Sequence, residues 1–329
     1  MRVIALLNIS ILVVAAQSSI PTGPDSPNSP SFAQQHWPGV SQDAINLATV
    51  LVSVPVTVTD RSGRAINGLK KENFRVYENK VEQPISFFTA EDAPASIGVI
   101  FDISGSMSDG KIIQAREALS RFIQTSHEQD EYFLISFNST PHLLLDGTRD
   151  AQAVLDEFKN VHPGGETALY DAVSLGIEEV SHGIYPKRAV ILISDGEDNH
   201  SRYSFNQLRR SLQESDVAIY TIGIGGYTPR RSMSQVVMES LGRVVMDNLA
   251  SISGGRAFRP WDTKEMDEAF EQIALELRRQ YSIGYVPSNY VADGKLHRIR
   301  VTLAVPPSLS RLVVRNREGY HAVRKPDWH

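Results

Sequence analysis

The middle of the chain alternates short, continuously apolar segments with segments of helical periodicity. Residues 97–102 are apolar up to a final aspartate and precede a helical pattern in which Ile112, Ala115 and Leu119 share one face. Further apolar runs lie at 132–137, 143–145, 189–194 and 217–224. Helical segments are predicted at 168–180, 204–214, 232–252 and from 262 onward. Strands that are apolar on both faces form parallel sheets covered by helices, so the middle predicts an α/β fold with a doubly wound, mainly parallel sheet.

The two ends of the chain show the period-two alternation of half-buried β-strands. Every second residue from Val50 to Val58 is valine, and near the other end Ile299 and Val301 alternate with charged side chains. Pro55 within the first run predicts a sheet edge or a bulge, because proline has no backbone donor. Further strands are predicted at 74–78, 85–87, 281–286 and 312–314. Both ends are therefore predicted to be β.

The first residues resemble a secretory signal. Arg2 is followed by an apolar stretch that ends in small residues before a predicted cleavage after residue 17. An uncleaved membrane anchor is the alternative, although the apolar stretch is short for a membrane span. Residues 18–44 are rich in proline and serine and predict a disordered tether.

The composition limits the partners and the compartment. The chain has 329 residues, no cysteine and a net charge of −5. A basic surplus for nucleic acid or an anionic membrane is missing, so neither partner is predicted. A secreted chain without disulfides fits a bacterial location, either secreted or in the periplasm and cell envelope.

Three segments of the middle region carry oxygen-bearing side chains where a strand ends or a helix begins. One apolar run ends in the pattern D-x-S-x-S, another ends in Ser-Asp-Gly, and a glycine-rich loop sets a threonine before a predicted helix. The candidate ligands are Asp102, Ser104, Ser106, Thr167 and Asp195. Taken singly, each also fits a helix cap or a plain turn. Together they are predicted at one edge of a parallel sheet, where such folds bind ligands.

These five residues resemble the metal-ion-dependent adhesion site of von Willebrand factor type A domains, whose pattern is D-x-S-x-S, a distant threonine and a more distant aspartate. The resemblance implies a bound Mg²⁺, with Mn²⁺ or Ca²⁺ as alternatives. It implies direct coordination by Ser104, Ser106 and Thr167, with Asp102 and Asp195 acting mostly through water. Hydroxyls and carboxylates are the ligand type that hard cations take. The implied partner is a protein that presents Asp or Glu to the metal.

The resemblance also implies how the ends are arranged. In this family the chain enters and leaves the domain opposite the metal, so the two β segments are predicted to form one smaller, sandwich-like module. The predicted segments are an N-terminal β segment at 45–94, the type A domain at 95–280 and a C-terminal β segment at 281–329. Both flanks resemble those of bacterial secreted proteins of this kind.

Three functions remain open at this point. The leading hypothesis is a non-enzymatic, cation-dependent adhesion module without a small-molecule substrate. The second is a structural envelope component that the metal only stabilises. The third is a metal-assisted hydrolase, for which Asp198 or His200 would have to act as general base. Asn138 and Asn199 each begin a glycosylation-acceptor sequence, which carries little meaning in a bacterium.

Overall fold

The computed structural model describes residues 50–107, 110–159, 162–224, 233–304 and 311–322. The predicted signal peptide and tether lie outside these residues. The strands are, in chain order, β1 (Val52–Thr59), β2 (Phe74–Glu78), β3 (Val81–Gln83), β4 (Ile85–Thr89), β5 (Ala95–Asp102), β6 (Glu131–Phe137), β7 (Pro141–Thr148), β8 (Lys187–Ser194), β9 (Ala218–Gly223), β10 (Ala257–Phe258), β11 (Tyr281–Tyr285), β12 (Leu296–Leu303), β13 (Val313–Asn316) and β14 (Gly319–His321). The helices are α1 (Gly110–Thr125), α2 (Ala151–Phe158), α3 (Leu169–Ser181), α4 (Phe205–Glu214), α5 (Met233–Ser253) and α6 (Thr263–Arg278).

The central sheet has six strands in the order β10-β9-β8-β5-β6-β7. Its strands run parallel except for β7, which pairs antiparallel with β6. Every residue of β5 and β6 is buried, as expected for inner strands of a sheet covered on both faces. The predicted mainly parallel α/β fold is confirmed.

Helices cover both faces of this sheet. On one face α1 and α6 pack together through Phe122 and Phe270, whose ring centroids lie 5.8 Å apart. On the other face Val173 of α3, Leu208 of α4 and Leu249 of α5 join a second apolar core. No helix within the described residues is both long enough and apolar enough to cross a bilayer. Apolar layers therefore pack on both faces of the sheet. The edge at which its parallel strands end, called the carboxyl edge below, is left to the loops.

The two ends of the chain form a separate pair of antiparallel sheets. Their strand orders are β13-β1-β11-β4 and β14-β12-β2-β3, so each sheet combines strands from before and after the central domain. Val54, Phe74, Tyr281 and Val301 lie in their shared apolar core. The smaller β module built from both flanks, which the resemblance implied, is present. The segment limits given above stay predictions.

Pro55 lies at a local edge of its sheet. Along β1, pairing with β13 begins only at Val56, so the side of the strand next to Pro55 lacks that partner. On the other side Pro55 faces Ser282 of β11. The missing backbone donor of proline is tolerated there, as the sequence predicted.

Several short elements differ from the sequence-based prediction. The prediction of a strand at 143–145 was too short, because β7 spans eight residues, none of them fully buried. The predicted strand at 85–87 is preceded by β3, which follows a tight turn at Asn79 and Lys80, both with positive φ. Helix α2, capped by Asp150, was not predicted, and neither were β10 and β14. Elements this short do not complete enough periods for a hydrophobic pattern to show them.

A buried charge links the central domain to the β module. Glu276 of α6 is fully buried, and its Oε2 lies 2.5 Å from Nη2 of Arg315 in β13. Its Oε1 lies 3.4 Å from Nη1 of Arg256, which also donates to the carbonyl of Gly63. Two arginines from different parts of the chain therefore depend on one carboxylate.

We expect Glu276→Ala to lower the free energy of unfolding by about 2–4 kcal/mol, because it leaves two partly buried guanidinium groups without their counter-charge. Glu271→Ala is the matched control, since Glu271 lies on the same helix and is exposed. The control is expected to change stability by less than about 0.5 kcal/mol. Urea unfolding measures both, and equal midpoints for the two variants would contradict the assigned role of Glu276.

Candidate metal centre

The carboxyl ends of β5 and β8 lie side by side and carry two of the candidate ligands. Asp102 is the last residue of β5, and Asp195 directly follows β8. These two strands are parallel neighbours in the middle of the sheet. The central sheet therefore places both carboxylates at one edge, as the sequence predicted.

Asp102 is held rigidly by hydrogen bonds to both of its carboxylate oxygens. The backbone N–H of Ser104 donates to Oδ1 at 2.8 Å, and the Ser194 hydroxyl donates to Oδ2 at 2.6 Å. The hydroxyls of Ser104 and Ser106 lie 3.1 Å apart. The first three candidate ligands are thus brought together within one tight loop.

The threonine loop is fastened to this first loop through the backbone. The N–H of Gly164 donates to the carbonyl of Ile103 at 2.7 Å, and the N–H of Gly105 donates to the carbonyl of Gly165 at 3.1 Å. Gly165 has φ of +88°, a conformation that glycine adopts without strain. These two bonds lay the loop that carries Thr167 across the end of β5.

Thr167 is buried and is tied to the loop after β8. Its N–H donates to the side-chain oxygen of Asn199 at 2.9 Å, and its carbonyl accepts from the backbone N–H groups of Asn199 and His200. The described contacts join Thr167 to the other loops through its backbone. The structure therefore places the fourth candidate between the loops that carry the other four.

Two asparagines that the sequence analysis set aside are part of this framework. Asn138 follows β6 and donates from its side chain to the carbonyl of Gly164 at 3.0 Å. Its backbone carbonyl accepts from the N–H of Ala168, just after Thr167. Asn199 binds the backbone on both sides of Thr167, as described above. The available signal for Asn138 was its position directly after a buried strand, which is also the position of Asp195.

The loop after β8 packs backbone to backbone against α5. Gly196 has φ of +85°, and a Cβ atom there would lie 2.5 Å from the carbonyl oxygen of Gly242. A Cβ atom on Gly242 would in turn lie 2.7 Å from the carbonyl oxygen of Asp195. Both positions need glycine, and the position of Asp195 is therefore set by helix α5.

The electrostatics of this edge favour a cation. Burial, and after it the charge of Asp195, raise the pKa of Asp102 to about 6, although its hydrogen bonds with Ser104 and Ser194 oppose the shift. Burial and the Asp195 charge also raise the pKa of Glu197. Each shift means that an ionised carboxylate lacks enough positive charge nearby. A divalent cation between the loops would supply it.

The donor set fits a hard cation such as Mg²⁺. It consists of two carboxylates and three hydroxyls, with oxygen as the ligand atom throughout. Within the described residues, no cluster of three or more His, Cys, Asp or Glu has the arrangement of a metal site. A metal at this edge would therefore depend on the serine and threonine hydroxyls.

The residues nominated as a general base have structural partners. Oδ1 of Asp198 accepts from the Ser201 hydroxyl and from the N–H of Tyr170, in the first turn of α3. Nδ1 of His200 contacts Oε2 of Glu166 on the protein surface. Asp198 therefore secures the start of a helix, and His200 pairs with a neighbouring loop.

Comparison with known proteins gives a family-model match to part of the chain and several distant relatives. Residues 97–197 match the model of the von Willebrand factor type A domain. Inter-alpha-trypsin inhibitor heavy chain H3 of Rattus norvegicus is 22% identical over 230 residues, which are 64% of this chain and 24% of the relative. An uncharacterized protein of Borreliella burgdorferi is 28% identical over 142 residues, which are 40% of this chain and 41% of that protein. The chain spans about a quarter of the length of the heavy chain that it matches.

Among solved structures, a von Willebrand factor type A protein from Catenulispora acidiphila aligns with a TM-score of 0.44 and 14% identity, covering 85% of this chain and 74% of that one. The residues that match the family model run from β5 to the loop after β8 and include all five candidate ligands. Over residues 97–197 the chain therefore matches the von Willebrand factor type A domain.

Proposed function

We propose that this protein is a divalent-cation-dependent protein-binding module of the adhesion type. The observation that supports the proposal is that hydrogen bonds join the loops that carry the five candidate ligands at one edge of the sheet. Type A domains are commonly protein-interaction modules. In the proposed site Ser104, Ser106 and Thr167 bind Mg²⁺ directly, and Asp102 and Asp195 hold it mostly through water. Mn²⁺ or Ca²⁺ could take the same place.

The proposed partner group is a carboxylate. A cation whose direct protein ligands are neutral hydroxyls keeps much of its positive charge and attracts one further anion. An Asp or Glu side chain of another protein supplies that anion and has the oxygen atoms that Mg²⁺ prefers. Such a site binds the side chain and leaves its covalent bonds intact, so we propose no enzymatic activity.

The predicted signal sequence supports a secreted or envelope location in a bacterium. A second candidate function is a purely structural role for the metal, and the raised pKa of Asp102 favours it, because a cation would relieve that buried charge. The two roles differ in whether a partner is bound. Hydrolysis has less support, since Asp198 and His200 are held by other residues.

Ser106→Ala is expected to weaken Mg²⁺ binding at least tenfold, because it removes one proposed ligand whose described side-chain contact is only with Ser104. Asp102→Ala should abolish binding. Ser120→Ala, which removes a hydroxyl from α1, is the matched control and should bind as the wild type does. Isothermal calorimetry measures all four proteins. Equal affinities for wild type, Ser106→Ala and Asp102→Ala would remove the proposed site.

In chelator, the pH dependence of stability should reveal the cost of the buried carboxylate. The pKa of Asp102 in the folded protein, about 6, lies above the ordinary value of 3.8. Protonation of Asp102 therefore stabilises the folded state fully below about pH 4, and this stabilisation is lost as the pH rises through 6. The shift corresponds to about 3 kcal/mol. Relative to wild type, Asp102→Asn should therefore gain stability between pH 4 and 7, by up to about 3 kcal/mol.

Urea unfolding at several pH values, with and without Mg²⁺, checks this expectation. Wild type should regain stability in Mg²⁺ at pH 7, whereas Asp102→Asn should not respond. Asp156→Asn, at an exposed carboxylate of α2, is the control and should follow wild type in its response to Mg²⁺. Parallel pH profiles for wild type and Asp102→Asn would show that Asp102 carries no such cost.

A further inference from the structure

The first half of α5 exposes large apolar side chains to solvent. Met233 is 80% exposed, Leu241 56% and Val237 50%. Farther along the same outward face the residues are polar, namely Asp247, Asn248 and Ser251. We call the following residues the apolar end of α5: Met233, Val236, Val237, Leu241 and Val244. Single exposed apolar residues are ordinary, but several on adjacent turns mark a contact surface.

The apolar end lies beside the candidate metal centre. Helix α5 follows β9, so it starts at the carboxyl edge of the parallel sheet, where Asp195 lies. It contacts the loop after β8 at Gly242, which packs against Gly196. At 1.5 Å per residue, Met233 is about 13 Å along the helix axis from Gly242, in the direction of that edge. Met238, one turn before Gly242, is 39% exposed, so the part of the helix before Gly242 lies outside the core.

Two acidic side chains lie near the loop after β8, and each has a cation close to it. Glu197 stands two residues after Asp195, and both Glu239 of α5 and Lys111 are close enough to influence it electrostatically. Arg243 pairs with Glu239 at 3.5 Å. Because these charges offset one another, residues beside a carboxylate directed at the cation gain little from carrying a charge of their own. Apolar neighbours would in addition find the apolar end of α5 next to them.

We propose that the apolar end of α5 and the candidate metal centre form one docking surface for a protein segment in which a single acidic residue is flanked by large apolar side chains. This inference rests on the proposed function, because the acidic residue needs the cation. The carboxylate provides the cation-dependent contact, and the apolar flanks provide the selectivity among acidic partners. Burial of an apolar side chain is worth about tenfold in affinity or more.

The test uses synthetic peptides with a central Asp flanked either by Leu or by Ser, measured by fluorescence polarisation in Mg²⁺ and in chelator. Wild type should bind the Leu-flanked peptide about tenfold more tightly than the Ser-flanked one, in Mg²⁺ only. Val237→Ser with Leu241→Ser should abolish this preference and leave the affinity for the Ser-flanked peptide unchanged. The control Asn248→Ala with Ser251→Ala, on the polar part of the same face, should keep the preference.

The remaining outcomes separate this inference from the proposed function. Cation-dependent binding without a preference for Leu flanks, or a preference that survives in the α5 variant, overturns the inference and leaves the proposed function standing. No cation-dependent binding of either peptide overturns both. A lower melting temperature of the α5 variant, by several degrees, shows that the chain's own residues cover the face. Self-association of wild type that the variant loses shows that a second copy does. Either result overturns the inference.

Discussion

The carboxylate of Asp102 is buried at the end of the central strand β5, and its hydrogen bonds hold the carboxyl edge of the sheet together. Its two oxygens bind the backbone of its own loop and the hydroxyl of Ser194 on the next strand, so it joins β5 to β8. The same burial makes its negative charge unfavourable in the absence of a cation. The proposed cation would remove this cost, because it would supply the positive charge that the buried carboxylate lacks.

Much of the fold follows from patterns that are local in the chain. The buried strands are largely apolar, the long helices complete several turns, and the D-x-S-x-S pattern keeps three candidate ligands within one loop. The helix predicted from 262 onward also agrees, since the Asp262 side chain accepts from the N–H of Glu265 and caps α6. The Glu265 side chain, however, accepts from the N–H of Trp261, one residue before the cap, a detail that spacing cannot distinguish.

The rest depends on contacts between distant segments. Asn138 and Asn199 position Thr167 through hydrogen bonds that link three connecting loops. The sequence shows none of these partners, although Asn138 does directly follow a buried strand. The apolar residues at the start of α5 would be assigned to a core on composition alone, and only the packing shows that they are exposed. In the same way, the dependence of Arg256 and Arg315 on Glu276 arises from tertiary structure.

The split β module has a mechanical consequence. Strand β1, near the start of the described chain, is hydrogen-bonded to β11 and to β13, which follow the central domain. A pulling force applied between the two ends of the chain would act first on these antiparallel ladders. The central domain, inserted between them, would stay unloaded until the ladders separated. In this arrangement the strand ends that carry Asp102 and Asp195 would keep their shape while the β module bears the load.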